Sequence, residues 1–232
     1  MLTFSDYDVL TFDCYGTLID WETGIWQALQ PTLAGHGVRL AQDEALELYG
    51  ELEAAAERGE YREYKAVLRQ VLAGLGARLG FTPSEAELAT FSQSVKDWPA
   101  FPDSARALGA LKTKYQLAII SNIDDDLFAY SAQRLQVPFD WVITARQARS
   151  YKPSLNNFRV AFERMGVPQN RILHVAQSLY HDIVPAKALG LATVWVNRRH
   201  DKAGFGATPA AEAQPDLEVP DLQTLAAQAG AL

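Results

Sequence analysis

The chain has 232 residues, enough for one large domain or a core with a smaller insert, and its 48% hydrophobic and 21% charged content is that of a folded protein. A formal net charge of −7 argues against sequence-independent nucleic-acid binding, which needs a basic surface, and no apolar run approaches the length of a membrane span. The single cysteine, Cys14, has no partner for an internal disulfide, and residues 1–6 lack the basic start of a signal peptide, so a reducing, cytoplasmic setting is expected.

Val9-Leu10-Thr11-Phe12 is a short apolar run that reads as a buried strand. It delivers Asp13 where the run stops, and Gly16 then lets the backbone turn tightly. From there to about Trp98 the pattern is helical. Ile25, Leu29 and Leu33 form a stripe interrupted by Pro31, and Leu46, Leu48 and Leu52 with alanines 54–56 suggest a second helix. Tyr61, Tyr64, Val67, Leu68, Val71, Leu72, Leu75 and Leu79 make the clearest amphipathic stripe, ended by Gly80. Thr82, Pro83 and Glu85 read as the capped start of another helix, so a small bundle inserted after the first strand is predicted. From Pro99 onward strand and helix alternate: helix 103–114, strand 117–120, helix 124–135, strand 141–143, helix 155–165 closed by Gly166, strand 172–176, a helix to about 189 with Pro185 in its first turn, and strand 192–196. This alternation predicts an α/β fold, a doubly wound parallel sheet (Rossmann-like) covered on both faces. Residues 201–214 read as a mobile loop and 222–229 as a closing helix.

In a parallel sheet the carboxyl ends of the strands converge on one edge, where such folds bind their ligands. That edge collects Asp13 from the first strand, Ser121 and Asn122 from the second, Lys152 from the loop after the third, and Gln177, Ser178 and Asp182 from the fourth. Each has a plain structural explanation as a cap, turn or solvated residue; their coincidence on one edge favours a functional site. His36, His174 and His200 show no mutual spacing of a metal site, and Asp124-Asp125-Asp126 reads as a solvated helix start.

Phe12-Asp13-Cys14-Tyr15-Gly16-Thr17-Leu18-Ile19-Asp20, then Ser121-Asn122, Lys152-Pro153 and Asp182, resemble the four ordered motifs of the haloacid dehalogenase superfamily, and the helical insert resembles its cap domain. The resemblance spans essentially the whole chain. It implies a catalytic core at 1–18 and 99–232 and a cap at 19–98, with Asp13 as a nucleophile that forms a covalent aspartyl intermediate cleaved by water. Phosphatases of the superfamily carry a second acid two residues after the nucleophile and an acid that helps hold Mg²⁺; here those positions are Tyr15 and Gln177. Both departures point to the branch of 2-haloacid dehalogenases, which needs no metal or other cofactor.

Displacing halide beside a carboxylate needs a bare nucleophile and no proton for the leaving group. The obstacle is charge: two anions about 4 Å apart repel by roughly 4 kcal/mol at an effective dielectric of 20. Lys152 is expected to offset that repulsion, helped by backbone N–H groups at Cys14 and Tyr15 and by Ser121 and Asn122 at a helix N-terminus. The Cys14 side chain itself turns away by strand alternation. Trp21 is expected to line the pocket, and Gln177 and Ser178 to contact substrate. By resemblance, Lys152 and Asp182 position the water that cleaves the ester; His181 is read either as a base or as a helix-surface residue. The arginine with which the resembled enzymes cradle halide has no clear counterpart, although Arg58 and Arg62 lie nearby. Three alternatives follow: a Mg²⁺-dependent phosphatase of small esters, hydrolytic opening of a strained ring such as L-azetidine-2-carboxylate, and a non-catalytic binding protein on the same scaffold. The partner expected is a small carboxylate, without nucleic acid or membrane, and the resemblance points to a homodimer through an unassigned face.

Overall fold

In the computed structural model, which describes residues 2–202 and 204–232, strand β1 (Val9–Phe12) is buried along its whole length. Helices α1 (Trp21–Gly35), α2 (Gln42–Ala56), α3 (Tyr64–Leu79) and α4 (Glu85–Ser92) form the insert that follows. Next come α5 (Ser104–Lys112), β2 (Gln116–Ser121), α6 (Asp125–Leu135), β3 (Trp141–Thr144), α7 (Ala145–Ala148) and α8 (Leu155–Met165). The chain closes with β4 (Ile172–Ala176), α9 (Val184–Ala188), β5 (Ala192–Val196), β6 (Leu217–Val219) and α10 (Leu222–Gln228).

The six strands are parallel in the order β3-β2-β1-β4-β5-β6, which is the doubly wound sheet expected. The chain builds outward from β1 through β2 to β3, then crosses back to place β4 on the other side of β1. The strand order therefore reverses at β1, and the crevice at such a switch point opens beside its carboxyl end. Strand alternation sends Leu10, Phe12, Leu117, Ile119 and Val175 to one face, against α5, α6 and α10. It sends Val9, Ala118, Ile120 and Ile172 to the other, against Phe158, Ala161 and Met165 of α8. With both faces covered, near-continuous apolar strands are what the core requires.

Several local expectations shift. Pro31 does not interrupt α1; it sits on the exposed side near the helix end. The cap of α4 is Ser84 rather than Thr82, with Ser84 accepting the Glu87 N–H at 3.3 Å and Glu87 returning a 2.7 Å contact to the Ser84 N–H. Pro83 and Phe81 instead pack against Gly76, where a Cβ would lie 2.7 Å and 2.6 Å from them, and the helix cap falls two residues later than expected. Strand β6 was not anticipated, because three residues on a sheet edge are too few to show a period. Residues 201–214, read as a mobile loop, contain no regular element; Ala203 lies outside the described residues, but Ala207 is fully buried with its carbonyl against Gly50 of α2.

Asp124 is a clear correction. It is fully buried, and its carboxylate accepts the backbone N–H groups of Tyr64 at 2.9 Å and Lys65 at 3.1 Å. It thus caps the first turn of α3 from across the crevice, fastening the insert over the edge of the sheet. Tyr151 adds a 2.7 Å hydrogen bond to the Arg62 carbonyl, and Lys65 pairs with Asp126 at 2.8 Å.

Candidate active site

Asp13 follows β1 at the switch point and is 6% exposed. Gly16 makes the turn possible in two ways: its φ of +90° favours glycine, and a Cβ there would stand 3.0 Å from both Gln177 Oε1 and Trp21 Nε1. The same loop brings Thr17 back so that its hydroxyl donates to Asp13 Oδ2 at 2.7 Å and accepts the Gln177 N–H at 2.8 Å. Thr17 thereby links the ends of β1 and β4.

Lys152 arrives from the loop after α7 and is 1% exposed. Its ammonium donates to Asp13 Oδ1 at 2.9 Å, to Asp182 Oδ1 at 2.6 Å and to the Ile120 carbonyl at 2.8 Å. All three hydrogens are occupied within the protein. Asp182 lies in a wide π-type turn, Leu179–Ile183, which aims it and His181 inward rather than along the surface of α9. His174 on β4 adds a contact to Asp182 Oδ1 at 3.0 Å, and Thr11 supports the other ring nitrogen at 2.9 Å.

Burial pushes the Asp13 carboxyl up, with Lys152 opposing and Asp182 adding to the rise. Burial works against the Asp182 charge too, but Lys152 and His174 hold that carboxyl below its usual range. Between the two carboxylates, which outweigh its own burial, the Lys152 ammonium is held protonated. One cation flanked by two anions is a favourable arrangement only because its hydrogens are all satisfied.

Asp13, Lys152 and Asp182 line one tight cleft with a cavity volume of about 30 Å³. Tyr15, Trp21, Ser121, Asn122, Gln177, Ser178 and His181 line it as well, so the predicted residues are brought together with one exception. Cys14 is fully buried and its side chain stays out of the cleft, as strand alternation requires. His181 is not a surface residue: it is buried, its backbone N–H and Nδ1 are held by Ser178 Oγ at 2.9 Å and 3.1 Å, and burial lowers its pKa to about 4. It stays neutral through the physiological range. Tyr15 donates or accepts with Ser131 at 2.9 Å and packs edge-on against Trp98, and burial keeps its phenol protonated.

Asn122 lines the cleft with its side chain already engaged. Its Oδ1 accepts the Lys152 backbone N–H at 2.7 Å, and its Nδ2 donates to the Lys152 carbonyl at 3.0 Å and to Glu57 at 3.2 Å. It fixes the lysine loop and a glutamate. Ser121 Oγ, in contrast, is buried with no hydrogen-bond partner among the described residues.

The sequence reading missed Glu53, Glu57 and Thr208 on the cleft wall, as well as Thr17 and His174 behind it, and favoured bundle core for Tyr64 while allowing that a cap residue facing the core could also be substrate wall. Tyr64 is both: it is 3% exposed and lines the cleft. The acids were visible in principle, since Glu53 continues the Leu46–Tyr49 stripe of α2, where an apolar residue belongs. Neither Arg58 nor Arg62 reaches the cleft; both are exposed, and among the described residues no arginine lines it.

The donor set does not fit a hard divalent cation. Asp13 and Asp182 both turn Oδ1 to the Lys152 ammonium, and the third position is the neutral amide of Gln177, whose oxygen takes the Thr208 hydroxyl at 3.3 Å.

A doubly wound sheet with an aspartate at its switch point, a buried lysine bridging it to a second aspartate, and a helical insert folded over the edge define an α/β hydrolase. The family model of haloacid dehalogenase-like hydrolases matches residues 7–190, and the chain belongs to that family. It is 29% identical to an (S)-2-haloacid dehalogenase of Xanthobacter autotrophicus over 84% of this chain and 76% of that protein. It is 28% identical to (S)-2-haloacid dehalogenase H-109 of Pseudomonas putida over 91% of this chain and 96% of that one. A crystal structure of an L-2-haloacid dehalogenase superposes with a TM-score of 0.80 at 26% identity, covering 97% of this chain and 100% of the other. Among the described residues no helix is long and apolar enough to cross a membrane.

Proposed function

We propose that the protein hydrolyses short 2-haloalkanoic acids through an ester on Asp13, giving 2-hydroxy acids. The core is assigned to residues 1–18 and 99–232, and the cap to 19–98. The observation that carries this reading is the Asp13–Lys152–Asp182 arrangement at the switch point, with Tyr15 where a phosphatase needs an acid. The relatives described above, named as dehalogenases of (S)-2-haloacids, support the halide as leaving group.

In the first step an Asp13 oxygen attacks C2 of the substrate, and the carbon–halogen electron pair leaves with the halide. No proton is required, so a tyrosine at position 15 costs the reaction nothing. The charge of Lys152 offsets the approach of an anionic substrate to Asp13, although its hydrogens are already in use. In the second step water attacks the Asp13 ester carbonyl. Asp182 Oδ2, buried without a hydrogen-bond partner among the described residues, is the acceptor assigned to the water proton, which then passes to the departing alkoxide. C2 is attacked once and the ester is cleaved at the carbonyl, so the product has inverted configuration at C2.

The test is a single turnover of (S)-2-chloropropionate with excess enzyme in heavy-oxygen water. Label in the Asp13 peptide with unlabelled lactate is the expected result. Label entering lactate directly, with none in the protein, overturns the ester route.

A further inference from the structure

On the wall contributed by α2 and the residue that closes it, Glu53 and Glu57 stand one helical turn apart and line the same cleft as Asp13. Glu53 is 4% exposed, and its Oε1 receives the hydroxyls of Tyr49, at 2.9 Å, and Tyr64. Glu57 faces Asn122 Nδ2 with both oxygens, at 3.2 Å and 3.4 Å. Neither glutamate has an ion-pair partner among the described residues, and the ammonium of Lys152 is already taken by Asp13, Asp182 and the Ile120 carbonyl. Four carboxyl groups thus share the cleft with one cation.

That is the wrong wall for a plain anion. Of the groups expected to receive a substrate carboxylate, the side chains of Lys152 and Asn122 are already engaged within the protein, and the helical insert adds acids where a cation was expected. Acids withdrawn from water without a counter-charge destabilise the fold. Burial, before any other cause, raises the pKa of Glu53 to about 7 and pushes Glu57 well above its usual range. Independently of the acids, the Ser121 hydroxyl is fully buried on this cleft and has no hydrogen-bond partner among the described residues, which leaves it as a donor for a ligand oxygen.

We propose that Glu57, aimed by Asn122 and backed by Glu53, receives a protonated amine on the substrate, so that the preferred substrates are short 2-substituted carboxylic acids with an ammonium group on the neighbouring carbon. This rests on the Asp13 displacement reading and names the substrate class for it. A zwitterion removes the conflict that a simple haloacid meets. Its ammonium supplies the counter-charge that lets Glu57 ionise, its carboxylate has the Ser121 hydroxyl as a donor, and it brings no net charge to a cleft already rich in acids.

Calorimetry on the wild-type protein with 3-aminopropanoate and butanoate tests the receptor without any reaction. The two ligands have the same chain length, differ by ammonium for methyl, and lack a leaving group. Binding of 3-aminopropanoate is expected to be tighter by about tenfold or more, as a desolvated ion pair provides. Glu57→Gln, which keeps the shape, should bring the two within about threefold, and Glu57→Asp, which keeps the charge, should restore part of the difference. Butanoate binding as tightly as 3-aminopropanoate, or a ratio unchanged in Glu57→Gln, overturns the proposal. Turnover of 3-amino-2-chloropropanoate against 2-chlorobutanoate should follow the same order. A preference for 3-aminopropanoate with both chloroacids inert supports the ammonium receptor and overturns the displacement chemistry instead.

Discussion

Asp182 holds Oδ1 3.0 Å from Nε2 of His174, a histidine with no exposed surface in the middle of β4. Because Thr11 meets the other ring nitrogen at 2.9 Å, a polar chain runs through the sheet from Thr11 to His174, Asp182, Lys152 and Asp13. The cleft is therefore braced from beneath by the two central strands, whose register sets Thr11 beside His174. His174→Phe should leave Asp182 and Thr11 each short of a partner and lower stability by about 1–3 kcal/mol. Urea unfolding measures it; an unchanged midpoint means the ring hydrogen bonds contribute nothing net.

Lys152→Met leaves two buried carboxylates facing each other. The expected loss is roughly 3–5 kcal/mol together with the disappearance of any Asp13 ester. Lys152→Met combined with Asp182→Asn should recover part of the stability, because one of the unpaired charges is gone. Strict additivity of the two substitutions in denaturant titrations would show that Lys152 and Asp182 are not coupled.

The insert is held to the core at the first turn of α3 by a side chain of the core. Asp124→Ala should cost about 1 kcal/mol, as loss of a helix cap does. It should also speed amide exchange at Tyr64 and Lys65 while leaving the amides of β1 protected, and equal exchange in both proteins would remove the fastening role.

Two groups on the cleft give stability opposite pH slopes. The Glu53 pKa is raised from 4.5 to about 7, so its contribution is full below pH 4.5 and is lost as pH rises towards 7. The His181 pKa is lowered from 6.5 to about 4, so its contribution is full above pH 6.5 and is lost as pH falls towards 4. Each shift amounts to something on the order of 3 kcal/mol across its window. Between pH 4.5 and 6.5 they oppose each other in the wild type. Relative to the wild type, Glu53→Gln should tilt the dependence of stability on pH upwards there, and His181→Asn should tilt it downwards; thermal unfolding scans across that window decide both.

The first five strands were legible because each is a short apolar run whose end is marked by a polar residue. β4 and β5 fall at the expected bounds, since a strand covered on both faces leaves no room for another pattern. α8 was equally plain, closed by Gly166 in a left-handed conformation with φ 64°. The order of polar residues at the strand ends located Asp13, Lys152 and Asp182, because parallel topology alone sends those ends to one edge.

What a side chain does once it arrives there depends on its neighbours across the chain. Asn122 carries the same residue symbol whether it receives a ligand or grips the backbone of Lys152, 30 positions away, and only the folded chain shows the second. Asp124 likewise looks like a solvated helix start until α3 is laid over it. The sequence by itself determined the sheet, the insert and the three charged residues at the crevice, since local periodicity and strand polarity suffice for those. The acidic wall of α2, the saturation of Lys152 and the buried histidine under Asp182 were decided only by tertiary structure, because hydrogen bonds and counter-charges there join residues whose separation along the chain carries no local pattern.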